Sequence, residues 1–519
     1  MLCLLGFFIY FFTCCLSKSD VQIGFQVMIP IPSPYDKNFT GRAFFLETAT
    51  SSVPNFKAAL SVEDINGSYS CSLQVFIGDF KVWSSGHFSQ FKPAEVCVLE
   101  LTEKGDLQLK DSKEQIGWRS GTSGQGVEKL QLLSTGDLVL TTGMHLTKWR
   151  SFDTPTDVML WGQRISIATR LTSFPTNTNM FYSFEIQHDK IALLLNSGTL
   201  RYSYWDFRPT EGRNITFAHL GSTGLKLFDG NYRKIAQISV RQKEQPLRFL
   251  TLGDITGNLG FYHYSPTKGK FEASFQALNT TCDLPLACGP YGICTHSNSC
   301  SCIQFSSQIY ALNPKCNEGF STEFCRGGDG VEMVEIMGVS NVLRVPPKRI
   351  NVSKEECVHL CIEDCKCSAV LYTVTSSAGI LRECFHYGLV RGVKQVDQRI
   401  GLSYLVKVPK GTMVEKKKKG SKVKKWLLLM GGVVDGLIIL VQFTYWLQRR
   451  TIRYAALNMA SLSDIVLLSY TENSSKWAVK ARLSTAINAR RKNHLSKKSS
   501  GLSGDCHVDL RYLMERPKG

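Results

Sequence analysis

The chain has 519 residues, 43% hydrophobic and 20% charged, a length that allows about three or four domains and a composition that excludes a disordered or polytopic membrane protein. Its net charge of +18 does not indicate nucleic-acid binding, because residues 410–519 hold 22 Lys/Arg against 7 Asp/Glu whereas residues 1–409 hold 39 against 36. The basic excess flanks an apolar segment and does not lie on a folded binding surface.

The amino terminus, MLCLLGFFIYFFTCCLSKSD, is an apolar run from Leu2 to Phe12 followed by small residues near Cys15, Ser17 and Ser19. It is read as a signal peptide over residues 1–19, with an uncleaved anchor as the alternative because no basic residue precedes the run. Cysteine usage agrees with export, since 14 of the 18 cysteines fall between Cys71 and Cys384, in groups of 2, 6 and 6. Even-numbered clusters in an exported chain are expected to form disulfides. Sequons at Asn38, Asn66, Asn214, Asn279 and Asn351 fit an exported surface, and a sixth at Asn473 lies beyond the apolar segment, where it should stay unmodified.

From about residue 56 to 278 the sequence alternates in short segments bounded by Gly, Asp, Asn and Ser, such as VCVLELTEKGDLQL, LQLLSTGDLVL and RFLTLGDITGNLGFY. These predict hairpins of an all-β prism or sandwich, because Gly supplies the positive φ of tight turns. Cys71 and Cys97 sit in two such strands and are expected to bridge them.

Residues 149–163, WRSFDTPTDVMLWGQ, resemble the signature that closes the bulb-type lectin module of plant S-locus glycoproteins and their receptor-kinase relatives. The resemblance extends over roughly residues 56–408 and is nearest to the kinase-less PAN domain-containing subgroup. It implies a mainly β multidomain ectodomain: bulb-type lectin-like β-prism modules, an EGF-like knot and an α+β PAN/apple module, followed by one transmembrane helix. The implied boundaries are 20–170 for the lectin-like domain, 171–278 for a second β-rich S-locus glycoprotein-like region, 279–320 for the EGF-like module and 325–408 for the PAN/apple domain. Residues 20–55 fit the lectin start poorly.

Cys282, Cys288, Cys294, Cys300, Cys302 and Cys316 have EGF-like spacing, for which the resemblance implies the pairs 282–294, 288–300 and 302–316. No acidic cluster precedes Cys282, so no calcium site is expected. In the next cluster Cys325 is followed by Cys357, Cys361 and Cys365, a four-residue spacing that predicts one helix face, then by Cys367 and, in a later strand, Cys384. This resembles the PAN/apple module, where disulfides tie one helix to a sheet; zinc is the competing reading.

A basic linker at 409–425 leads to an apolar span at 426–447, and a basic tail follows at 448–519. The expected topology is single-pass type I in the plasma membrane, although seven lysines precede the span, against the positive-inside rule. The tail, 14 Lys/Arg against 5 Asp/Glu, is expected to be largely unfolded and to meet anionic lipid. Within the span Gly432 and Gly436 form G-x-x-x-G beside Asp435, a set expected to make an intramembrane contact with a second copy or with a receptor kinase.

No catalytic motif is present, the tail has no room for a kinase fold, and neither a cofactor nor a metal is expected. The mannose motif of bulb-type lectins, Q-x-D-x-N-x-V-x-Y, is degraded. Thr102, Lys104, Asp106, Gln108 and Lys110 match none of it, Leu133, Thr135, Asp137, Val139 and Thr141 match one position, and Asn258 and Tyr262 survive from a third copy. The Gly-Asp and Gly-Asn turns therefore read as scaffold, with a protein, peptide or different glycan ligand left open. The sequence points to a cell-surface recognition glycoprotein, a receptor-like protein or co-receptor; a carbohydrate-binding wall sensor and a structural surface glycoprotein are the alternatives.

Overall fold

The computed structural model describes residues 18–48, 54–174, 180–210, 212–240, 246–303, 316, 330–375, 380–397, 401–410 and 436–451. Met1–Glu415 form one packed unit and Lys416–Gly519 another.

The first module opens with three strands, β1 (Asp20–Gln22), β2 (Gln26–Pro30) and β3 (Thr40–Glu47). Three three-stranded meanders follow. They are β4 to β6 (Phe56–Ile65, Ser68–Ile77, Phe80–Ser84), β7 to β9 (Val96–Leu101, Leu107–Lys110, Ile116–Arg119) and β10 to β12 (Val127–Leu132, Leu138–Thr142, Thr147–Arg150). Each opening strand completes one meander in reverse order, giving four-stranded sheets β3-β4-β5-β6, β2-β7-β8-β9 and β1-β10-β11-β12. Residues 20–55, the part that fits the lectin start poorly, thus supply one edge of every sheet. The inward rows, among them Leu60, Leu73, Leu99, Leu109, Leu130 and Leu140, are fully buried. At the centre the last strand of each sheet contributes one tryptophan, and Trp83, Trp118 and Trp149 pack edge to face with centroids 5.7–6.3 Å apart.

The same topology then repeats. β13 (Val158–Leu160), β14 (Arg164–Ser166) and β15 (Arg170–Thr172) open a second prism. The meanders β16 to β18 (Met180–Ile186, Ile191–Ser197, Leu200–Phe207), β19 to β21 (Phe217–Gly221, Gly224–Phe228, Lys234–Ser239) and β22 to β24 (Leu247–Leu252, Leu259–Ser265, Lys270–Gln276) close it. Its sheets are β15-β16-β17-β18, β14-β19-β20-β21 and β13-β22-β23-β24. The expected boundary at 170 therefore falls inside the second prism, because β13 to β15 pair only with strands that come later. The stretch 149–163 is the joint between the prisms: Gln163 accepts from Leu160 N at 2.9 Å and donates to the Phe152 carbonyl at 2.9 Å.

β25 (Gly292–Cys294) and β26 (Cys300–Cys302) follow, then β27 (Val331–Ile336), β28 (Val339–Asn341), β29 (Arg349–Ile350), α1 (Lys354–Glu363), β30 (Ala369–Thr375), β31 (Leu381–Tyr387), β32 (Val393–Gln395) and β33 (Leu402–Pro409). The sheet β27-β33-β30-β31-β29 carries α1, while β26-β25-β32-β28 joins the cysteine knot to this last module. Disulfides link Cys71 to Cys97, Cys282 to Cys294, Cys288 to Cys300, Cys302 to Cys316, Cys357 to Cys384 and Cys361 to Cys367. Cys365 is also disulfide-bonded, and Cys325 lies outside the described residues.

One expectation needs correction. Cys357 and Cys361 lie on α1, but Cys365 does not, because the helix ends at Glu363. Asp364 turns the chain there: its carboxylate accepts from Lys366 N at 2.9 Å and its carbonyl from Cys367 N at 3.0 Å. Fully buried Lys407 closes the helix end by donating to the carbonyls of Cys361 and Asp364 at 2.8 and 3.1 Å.

In the second unit a helix runs over 436–451, past the expected end of the span at 447. Among the described residues no helix is long and apolar enough to cross a membrane. Gly432, Asp435 and the remainder of the expected span lie outside the described residues, as do the signal peptide and Asn473.

Candidate ligand-binding face

The degraded mannose stretches fall on hairpin turns, where their polar residues hold the fold. Gly105, Gly136 and Gly257 take φ of +77°, +85° and +68°, and the residue after each points back into the module. Asp106 accepts from Ser120 Oγ at 2.8 Å and Thr122 N at 3.0 Å. Asp137 accepts from Arg150 Nε at 2.8 Å, from Arg150 Nη2, and from Ser151 Oγ and Phe152 N, both at 3.1 Å. Asn258 exchanges two bonds with the backbone of Leu278, at 2.8 and 3.0 Å. In all three cases the turn residue binds the chain just after the third strand of its meander, so none is available to a sugar. Tyr262 stacks on Phe249 at 5.2 Å, and Lys110 is paired with Glu100 and Glu114 at 2.6 and 2.8 Å.

The outer face of the β3-β4-β5-β6 sheet is different. Its meander turns at Asn66-Gly67 and its central strands are ten residues long, so the outward row is long enough to hold an array. Register places Arg42, Ser61 and Ser72 in one row across the sheet, with Phe44, Ala59, Gln74 and Ser84 in the next. Small side chains form the floor, and Ser61, Ser70, Ser72 and Gln74 are all buried. Gln74 Nε2 donates to Glu63 Oε2 at 3.1 Å and to Ser72 Oγ at 2.9 Å. Arg42 meets Glu63 at 3.0 Å, and Lys81 stands 3.7 Å from it. Burial alone would push the Glu63 carboxyl up, but Lys81, Arg42 and the Gln74 amide together hold it below the usual carboxylate range.

Two oxygens of this array, Ser61 Oγ and Gln74 Oε1, are buried without a hydrogen-bond partner. Such groups cost about 1–3 kcal/mol each, so a ligand that satisfies them gains that much in return. Above the floor the Arg42 guanidinium lies 5.0 Å over the Phe76 ring, and Phe44 is 53% exposed beside it. An acceptor amide, hydroxyls, an ionised carboxylate, a guanidinium and an apolar rim together suit a ligand rich in hydroxyl groups. The sequence signal for this face is absent from the Gly-Asp turns; it lies in the alternation S-x-S-x-Q of residues 70–74 opposite S-x-E of residues 61–63.

Two other clusters do not form sites of this kind. His87 Nε2 lies 2.8 Å from the Thr172 carbonyl and Nδ1 3.9 Å from Asp157, at the joint of the prisms. Burial lowers the His87 pKa, and burial together with the charge of Asp254 pushes Asp157 up to about 7. Cys357, Cys384 and His386 are close enough to hold a metal, but the two cysteines are bonded to each other and offer no thiolate. The sequon residues Asn38, Asn66, Asn214, Asn279 and Asn351 are all exposed.

Residues 82–177 match the D-mannose binding lectin family and residues 222–308 the S-locus glycoprotein domain. The β3 to β5 face lies ahead of both matches. A G-type lectin S-receptor-like serine/threonine-protein kinase of Arabidopsis thaliana is 22% identical over 60% of this chain and 38% of its own length. A PAN domain-containing protein of the same plant is 25% identical over 53% of this chain and 57% of its own. EP1-like glycoprotein 2, also from Arabidopsis thaliana, is 28% identical over 54% and 70% respectively. The match thus spans well under two thirds of the first two relatives.

Proposed function

We propose, for a chain that belongs to the S-locus glycoprotein-like, bulb-type lectin proteins, that it is an exported single-pass cell-surface glycoprotein that acts by recognition and not by catalysis. The ligand is rich in hydroxyl groups and seats on the β3-β4-β5-β6 face. The observation that carries this reading is the pair of unpartnered buried oxygens, Ser61 Oγ and Gln74 Oε1, set beside the Glu63 carboxylate. Arg42 and Lys81, both part-exposed, are paired with Glu63 on this face, and a ligand displaces their long side chains on entry. Output then passes to a partner: the Gly432, Asp435, Gly436 set would hold a second copy or a receptor kinase in the bilayer. The test is a glycan array probed with the intact chain. Binding that disappears in Gln74→Leu at unchanged melting temperature supports the reading, whereas an empty array, or binding indifferent to Gln74, rejects it.

A further inference from the structure

The second prism carries an aromatic platform that the recognition reading does not use. On the outer side of the β14-β19-β20-β21 sheet Phe217 and Phe228 stack with centroids 4.9 Å apart and planes within 6°. Tyr232, in the turn after β20, lies 5.3 Å from Phe217 and is 69% exposed. The Arg164 guanidinium sits 5.5 Å over Phe217 and 5.9 Å over Tyr232, holding both rings from one side. Tyr232 has φ of +61°, a left-handed conformation that costs a tyrosine, so the turn presents this ring outward against local preference.

The turn is fixed by Asp229, whose carboxylate accepts from Asn231 N at 3.0 Å and Arg233 N at 2.9 Å. The exposed sequon Asn214-Ile215-Thr216 is tied to this same turn from both sides. Just before it, Arg213 reaches Asp229 at 3.4 Å; at its last residue, Thr216 N donates to the Phe228 carbonyl at 2.8 Å. Ile215 is buried between them, and Asn214, two residues before Thr216, is exposed.

We propose that the N-linked glycan on Asn214 folds back over the Phe217, Phe228 and Tyr232 platform, so that this face is closed by the chain's own sugar and not by a partner. The pyranose rings of an N-linked chain present C–H faces that pack on aromatic faces, and the tethers on Arg213 and Thr216 keep the attachment point at the platform's edge. A cluster of two half-buried rings and one exposed tyrosine, beside a carrier of apolar sugar faces, is thereby covered.

The test uses the intact chain from a glycosylating host. Glycopeptide mass spectrometry first shows whether Asn214 is occupied; an unmodified Asn214 overturns the proposal. Release of the native glycans by an amidase is then timed at Asn214 and at Asn66 in the same molecule. Tyr232→Asn removes the ring while keeping a residue that accepts positive φ, and Arg164→Gln frees the rings without touching the turn. Both variants are expected to speed release at Asn214 about five-fold, the scale of one lost ring contact, with release at Asn66 unchanged. Equal Asn214 rates in wild type and both variants, at unchanged melting temperature, overturn the proposal.

Discussion

Asp137→Ala separates a scaffold turn from a sugar-binding one. The Asp137 carboxylate is fully buried and takes bonds from Arg150, Ser151 Oγ and Phe152 N. Arg150 is 42% exposed, so on loss of its partner the guanidinium turns to water at little cost. The Phe152 amide and the Ser151 hydroxyl are left in a buried place, and an orphaned donor of this kind costs about 1–3 kcal/mol. The expected loss is about 3 kcal/mol, which for a cooperative unit of this size lowers the melting temperature by roughly 6–12 °C. Thermal unfolding followed by circular dichroism reads it directly. A variant within about 1 °C of wild type would refute the reasoning, and a lost glycan signal at unchanged stability would return Asp137 to a ligand role.

Other perturbations follow from the same contacts. Asp157, pushed up to about 7, binds its proton more tightly folded than unfolded, so its stabilisation is complete below about 4 and is lost as pH rises through 7; melting temperatures should fall over that window in wild type and flatten in Asp157→Asn. Lys407→Met leaves the Cys361 and Asp364 carbonyls at the end of α1 unpaired and should cost about 2–3 kcal/mol, measured by denaturant unfolding. Ser353→Ala removes the N-cap bond to Glu356 N and should cost about 1 kcal/mol in the same assay.

What the sequence showed and what it hid have physical causes. The hairpins around Gly105, Gly136 and Gly257 were legible because a glycine at positive φ between alternating strands is a local signal. β1 and β2 were not, since their partners β10 and β7 lie far along the chain and pairing at that range leaves no local trace. Met28 and Phe44, exposed on β2 and β3, blur the alternation further. The start of the second prism at Val158 was hidden because β13 to β15 have three residues each, too few to show a period. The candidate face escaped because it replaces the Gly-Asp turn with Asn-Gly, so an alignment on Gly-Asp passes over it. Cys365 shows the limit of spacing, because a four-residue step says nothing of where a helix stops.

The central claim is that recognition occurs on the β3-β4-β5-β6 face. Calorimetric titration of the strongest array glycan against wild type, Gln74→Leu, Glu63→Gln and Lys110→Gln tests it most directly, Lys110 lying on the neighbouring sheet. The account predicts at least about a tenfold loss of affinity for the first two variants, the scale of one or two buried hydrogen bonds, and wild-type affinity for Lys110→Gln. Wild-type affinity in Gln74→Leu and Glu63→Gln, with a loss in Lys110→Gln, would contradict it.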